Sequence, residues 1–200
     1  MTRTRLSVIW IAFAVIVAIP LVAAAMSPLL AWRSPIYIAA GFAGIVAMVL
    51  LLAQPLLIGG YLTFERTRLG QRAHRWIGRL LVLAVLVHVA GLWITSPPDV
   101  IDALLFVSPT PFSAWGVVAM WAVFAAALLA TLRRRWRLPP KLWRLGHTAL
   151  ALVTVIGSVV HAVLIDGTME PVSKALLCIL AVLATFKVMA DLRVWRVRAT

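Results

Sequence analysis

The sequence predicts an all-α integral membrane protein: a bundle of six transmembrane helices with the N- and C-termini both in the cytoplasm. Three observations carry this. Hydrophobic residues fill 64% of the 200 positions and charged residues only 12%, with a mean hydropathy of +1.03, so too little polar surface exists to cover a water-soluble domain. The apolar residues fall into six runs, each near the length that crosses a hydrocarbon core of about 30 Å. The basic residues, finally, sit in short clusters between alternate runs, which is a membrane topology signal. A net charge of +13 would otherwise point to nucleic acid, but no run of the chain builds an exposed basic face, and no nucleic-acid partner is expected.

The first run, about 6–26, follows Arg3 and Arg5. Its basic start and the small residues Ala23, Ala24 and Ala25 resemble a secretory signal. The run is longer than the usual apolar core of a signal, of about 7 to 15 residues, so an uncleaved first span is expected. Pro28 and Pro35 bracket a turn, and a second span covers about 36–60, with Pro55 as a kink near one end that neighbouring helices can accommodate. Glu65, Arg66, Arg68, Arg72 and Arg75 mark a polar connection into the third span, about 74–95. The stretch SPPDVIDALLFVSPTPF, Ser96 to Phe112, carries four prolines and two aspartates and reads as an external loop with a short interfacial helix. A fourth span, about 113–132, runs into RRRWRLPPKLWR, the densest basic cluster in the chain. A fifth span, about 145–165, ends at DGTMEP, and a sixth covers about 172–190 before Arg193, Arg196 and Arg198.

Orientation follows from charge. Of the nineteen Lys and Arg, only Arg33 and Lys174 fall on the side opposite the N-terminus, and the other seventeen lie on its own side. Positive charge stays inside, so the N-terminus is expected in the cytoplasm. Asp99, Asp102, Asp166 and Glu170, four of the six acids, fall outside. A multi-pass protein of a bacterial inner (cytoplasmic) membrane, in contact with lipid, is the expected setting. The single cysteine, Cys178, lies in an apolar run; it permits no intrachain disulfide and reads as a small packing residue.

The four histidines carry the chemistry. His74 and His88 stand fourteen residues apart on the third span, and His147 and His161 repeat that spacing on the fifth. Fourteen residues are two heptads and rise about 21 Å, so both imidazoles of a span project from one face at two depths. The two spans run parallel, which pairs His74 with His147 at an inner level and His88 with His161 at an outer one. Two neutral imidazoles are too few for a closed zinc site but suit the axial positions of a haem, whose porphyrin supplies four nitrogens. Two stacked sites between the third and fifth spans, each holding a b-type haem, are therefore expected, with the histidines as iron ligands. Gly78, Ala84, Ala151 and Gly157 each lie one turn toward mid-membrane from a histidine and are all small, as a porphyrin edge would need. Close helix packing is the competing reading of such residues. Ionisable side chains at membrane depth are costly and usually functional, which strengthens the case for the histidines.

HRWIGR at His74 to Arg79, followed by His88, and then LGH at Leu145 to His147, followed by His161, resembles the ferric reductase-like transmembrane domain. That family includes ferric reductases, the membrane half of NADPH oxidases and the haem-binding membrane subunit of a periplasmic methionine sulfoxide reductase. The likeness extends over about 36–190. It implies two b-type haems passing electrons across a six-helix bundle, from a cytoplasmic donor to an external acceptor, as the membrane component of an oxidoreductase. Ferric reductases and NADPH oxidases continue into a flavin and nicotinamide domain, whereas this chain stops at Thr200 and contains no phosphate-binding glycine pattern. The expected donor is then a separate reductase, or a reduced flavin or quinone. The acceptor is iron, oxygen or quinone, or a centre in a periplasmic partner protein, the haem-binding subunit of a partner reductase being the alternative reading.

Haem propionates are anionic, and Arg72, Arg75, Arg79 and Arg144 lie near the inner pair as candidate partners, with Arg75 and Arg144 closest to the ligands in sequence. On the outer side only Arg33 and Lys174 are available for propionates or acceptor. Trp121 or Phe124 is the expected aromatic between the two haems. The tryptophans at span ends, Trp143 among them, read as interfacial anchors. A metal or proton transporter is the competing class. It would need carboxylates or broken helices at mid-membrane, and spans two to five place no Asp or Glu there. A non-catalytic scaffold is the third reading.

Overall fold

A computed structural model describes residues 3–63 and 68–192. Within them the chain forms seven α-helices and no strand: α1 (Arg3–Ala25), α2 (Pro35–Ile58), α3 (Arg68–Thr95), α4 (Pro97–Leu104), α5 (Pro111–Leu132), α6 (Pro140–Leu164) and α7 (Pro171–Leu192), with a 3-10 turn at Pro28–Leu30. All but α4 are long and apolar enough to cross a membrane. The expected interfacial helix is α4. Glu65, Arg66, Trp195 and the terminal Arg193, Arg196 and Arg198 lie outside the described residues.

Proline starts α2, α4, α5, α6 and α7, where its fixed φ suits the first turn and its missing N–H costs no hydrogen bond. Before α2 the Ser34 side chain accepts a hydrogen bond from the Tyr37 N–H at 3.2 Å. Before α7 the Glu170 carboxylate accepts from the Val172 and Ser173 N–H groups at 2.8 and 2.6 Å. Those two bonds hold the exposed carboxyl below the usual carboxylate range. At the other end of α2, the Tyr61 N–H reaches the Leu56 carbonyl at 2.9 Å and Gly60 N–H the Leu57 carbonyl at 3.2 Å, around Gly60 at φ 79°. This is a Schellman cap, and the left-handed position requires glycine. It aims Tyr61 at α7, where its hydroxyl donates to Asp191 at 2.5 Å beside the Lys187–Asp191 ion pair at 2.6 Å.

The helices α2 and α3 form one long antiparallel hairpin and α5 and α6 another; α7 lies against both α2 and α6, and α3 meets α5. The first helix packs mainly against α2 and α7 among the long helices, and most of its side chains are exposed, as expected of a peripheral, lipid-facing span. Helices α3 and α6 share no extended contact and face each other across the bundle. At the level midway between the paired histidines, Leu81 and Thr154 are buried. Leu81 joins Met48, Leu52, Val123, Val155 and Leu177 in the main apolar cluster, and the Thr154 hydroxyl is satisfied by the Leu150 carbonyl at 2.8 Å. The bundle thus has a histidine layer, an apolar layer and a second histidine layer. One histidine layer adjoins the arginine-rich ends of α3, α5 and α6, here termed the basic end. The other adjoins Asp99, Asp102, Asp166 and Glu170, the acidic end.

Candidate functional site

The structure brings His74 to His147 with ring centroids 6.3 Å apart and His88 to His161 at 6.5 Å. An imidazole nitrogen lies about 2.0 Å from a bound first-row metal and about 1.1 Å from its ring centre, so two rings on opposite faces of one iron have centroids about 6.2 Å apart. Both separations match that span. No group of three or more His, Cys, Asp or Glu that could hold a metal ion occurs among the described residues. Each level therefore fits a metal that brings its own equatorial ligands better than one held by side chains alone.

The tautomer is set by the backbone. His88 Nδ1 lies 2.7 Å from the Ala40 carbonyl, His161 Nδ1 2.8 Å from that of Phe112 and His74 Nδ1 3.3 Å from that of Gln54. A carbonyl only accepts, so Nδ1 carries the proton and Nε2 keeps its lone pair for a metal; this is the usual support of a ligating histidine. The Gln54 side chain also donates to the His74 carbonyl at 3.3 Å. His147 differs: its Nδ1 is buried without a hydrogen-bond partner, although the Ala126 carbonyl of α5 lies on its side. What holds this ring is Trp143, stacked on it with centroids 5.5 Å apart and planes 10° from parallel.

These acceptors repeat the fourteen-residue spacing of the histidines. Ala40 and Gln54 are fourteen apart on α2, as are Phe112 and Ala126 on α5. The α5–α6 hairpin therefore repeats the α2–α3 hairpin, with a carbonyl on the side of each ring, although His147 makes no hydrogen bond to Ala126. Gly44 and Gly116, each four residues after an outer acceptor, make room for the rings. A Cβ on Gly44 would lie 3.0 Å from His88 Nδ1, and one on Gly116 only 2.6 Å from His161 Nδ1. Sequence reasoning missed both glycines and all four carbonyls. Carbonyls carry no side-chain signal, and the glycines become legible only once the antiparallel pairing is known.

The small residues beside the histidines divide. A Cβ on Gly157 would meet the Trp115 carbonyl at 3.0 Å and Ala119 at 3.1 Å, and one on Gly78 would meet the Gln54 amide at 3.5 Å. Both glycines face a neighbouring helix, α5 and α2 respectively, so their smallness serves hairpin packing. Ala84 and Ala151 are half-buried. Arg72, Arg75, Arg79 and Arg144 are exposed at the basic end, with the Arg79 guanidinium 4.6 Å above the Trp76 ring.

Trp121 does not stand between the two levels. It is 58% exposed on the outside of the bundle, because its position on α5 points away from α6, while Phe124 packs against the main apolar cluster. The layer between the sites is built from aliphatic side chains and Thr154, with Phe124 packed against it. At the acidic end Lys174 donates to the Ile165 carbonyl at 2.7 Å, closing the end of α6, and Arg33 lies 4.6 Å over the Tyr37 ring. Both outer cations already have partners in the fold.

A family model described as ferric reductase like transmembrane component matches residues 39–158. The match runs from α2 into α6 and holds three of the four histidines, with His161 three residues beyond its end. Comparisons with curated proteins and with solved structures return no match. With more than half of its length matched, and the paired histidines inside a helical bundle, the chain belongs to the family of ferric reductase-like transmembrane components.

Proposed function

We propose that this chain is a di-haem electron-transfer protein of the membrane, carrying electrons from the basic, cytoplasmic end to an external acceptor. The observation that carries the reading is the pair of imidazole–imidazole separations, 6.3 and 6.5 Å, with three of the four rings anchored through Nδ1. His74 with His147 would hold an inner haem and His88 with His161 an outer one, and each haem supplies an iron that changes charge by one electron without moving its ligands. The protein's own work is to hold and insulate. The backbone carbonyls keep the Nδ1 protons in place and so present Nε2; the apolar layer around Leu81 keeps water from the space between the levels. The two levels are about 21 Å apart along the helices by their fourteen-residue spacing, which would set the separation of the two groups if both were bound. Arg75 and Arg144 are the cations placed to meet inner propionates. Ala84 and Ala151, one turn toward mid-membrane from His88 and His147, would flank the porphyrins.

A separate reductase, flavin or quinone is the donor in this reading. The acceptor lies beyond the acidic end. An absorbance spectrum of the detergent-purified protein tests the proposal: a Soret band, sharp reduced b-type bands and two haems per chain are expected. A protein without haem absorbance, or with one high-spin haem per chain, would refute it.

A further inference from the structure

Among the four paired histidines, His147 is held in its own way. The Nδ1 atoms of His74, His88 and His161 each reach a backbone carbonyl on the facing helix of their hairpin, whereas that of His147 is buried with no hydrogen-bond partner. Its ring is held from within its own helix. Trp143 stands four residues earlier on α6, about one turn away, and its indole lies against the imidazole with centroids 5.5 Å apart and planes 10° from parallel. The indole Nε1 is buried without a partner as well, and the Arg133 guanidinium, from the end of α5, meets the indole 4.2 Å from its centroid. Four residues before His74 the other hairpin has Gly70. A Cβ there would lie 3.0 Å from the Leu57 carbonyl, so a side chain at that place would crowd α2, and His74 takes its hold from Gln54 instead.

Two imidazoles on opposite faces of one iron share the axis through their Nε2 atoms, and that axis lies in the plane of each ring. Each ring is free to turn about it unless something stops the turn. A hydrogen bond from Nδ1, which lies off the axis, is one stop. A flat group packed on the ring face is another, because turning would drive the imidazole edge into it. The ring planes stand 77° apart at the basic end and 82° apart at the acidic end. At the acidic end two hydrogen bonds set this crossed arrangement; at the basic end one hydrogen bond and one stack do so.

We infer that Trp143 is the positioning residue of the inner site: packed on His147, it takes the place of the missing Nδ1 bond and sets the rotation of that ring across the plane of His74. The inference rests on the di-haem reading above and adds to it a residue outside the ligands that the reading does not require. A tryptophan at the end of a span is ordinarily an interfacial anchor, and an anchor needs no partner inside the bundle. The parallel fit to the face of a ligand sets this one apart.

Ring rotation has an electronic consequence. When the two imidazole planes cross near a right angle, the iron d orbitals that meet their π systems stay close in energy, and an oxidised low-spin haem gives a strongly anisotropic paramagnetic resonance signal. Planes nearer to parallel separate those orbitals and give a rhombic signal. The spectrum therefore reads the turn of a ligand rather than haem content or helix packing.

The test is electron paramagnetic resonance of the oxidised, full-length, detergent-purified chain, with haem counted on the same samples. Wild type should give two strongly anisotropic signals. Trp143→Leu should keep both haems and convert one signal to a rhombic form, the one that is absent from His147→Ala. Trp143→Phe, which restores a flat face, should return the wild-type spectrum. An unchanged inner signal in Trp143→Leu would overturn the inference, because the indole would then be an anchor and nothing more. So would a change in the outer signal alone, or a Trp143→Phe spectrum as altered as that of Trp143→Leu. Should Trp143→Leu lose both haems, as a misfolded bundle would, Trp143→Phe against Trp143→Met decides: the flat ring must keep the inner signal and the flexible chain must lose it. Two haems with an inner signal indifferent to residue 143 sink the positioning role alone, whereas a wild-type chain without haem sinks the reading beneath it and this inference with it.

Discussion

The two histidine levels are built from the same parts and held differently. At the acidic end both rings are fastened by short Nδ1–H···O=C bonds, 2.7 and 2.8 Å, and each fits against a glycine, Gly44 or Gly116. At the basic end His74 makes a longer bond, 3.3 Å, and His147 makes none and relies on the Trp143 stack. A ligand that donates strongly through its far nitrogen is more basic toward a metal and has less freedom to turn. The level at the acidic end is therefore the more rigidly prepared; at the basic end the Trp143 ring that stacks on His147 lies 4.2 Å from the Arg133 guanidinium.

The sharpest way to break this comparison is to remove one ligand from each level. His88→Ala should eliminate the outer haem and leave the inner one, and His147→Ala should do the reverse. Haem content is expected to fall from two per chain to one in each variant, with the loss in different components of the reduced spectrum. Loss of the same component from both would disprove pairing at equal depth.

Next in size are the glycine seats. A Cβ on Gly116 would lie 2.6 Å from His161 Nδ1 and one on Gly44 3.0 Å from His88 Nδ1; the first cannot be accommodated without moving the ring. Gly116→Ala should thus deplete the outer haem strongly, Gly44→Ala should do so partially, and neither should touch the inner component. Equal, full occupancy in both variants would mean that the outer rings are not seated as described.

A third pair probes packing. Gly157→Leu pushes against the Trp115 carbonyl and Ala119, an overpacking that typically costs about 1 to 3 kcal/mol. It should lower the thermal midpoint and, by shifting α5, loosen the Phe112 carbonyl that holds His161. Gly78→Ala meets Gln54 at an ordinary 3.5 Å and should be close to neutral. Thermal melts followed at the Soret band distinguish the two.

The smallest effect belongs to Glu170. Its carboxyl is held below its ordinary range by the two N–H groups that start α7, so it stabilises the fold at pH values above the unfolded carboxyl's titration. That contribution is lost as pH falls from the ordinary carboxylate range through the lowered folded value. Glu170→Gln should flatten this part of the stability profile below about pH 5 without changing either haem component. An unchanged acid profile would show that the cap contributes nothing measurable.

Much of this was legible from residue order. Hydropathy is a local property, so six spans and the short helix after the third could be read from runs of residues, although α3 and α6 begin five or six residues before the expected spans, at Arg68 and Pro140, in polar turns that hydropathy does not mark. The pairing of His74 with His147 and His88 with His161 followed from two equal spacings on parallel helices, because helical rise converts sequence distance into depth. Direction around a helix was harder. Gly157 shares a face with His161 by periodicity, yet it meets α5, because a helix packed on two neighbours has no single inner side. Trp121, at a depth between the two histidine levels, points outward for the same reason.

The sequence by itself determined the class, the spans, the charge asymmetry and the four histidines at two depths, since each of these depends on side-chain chemistry counted along one chain. Only the tertiary structure decided which carbonyls fasten the rings, that Gly44 and Gly116 are their seats, and that Trp143 stacks on His147. Those features depend on which backbone atoms and ring faces two packed helices bring together. Every residue carries a carbonyl, and nothing in its name tells which one a histidine will find.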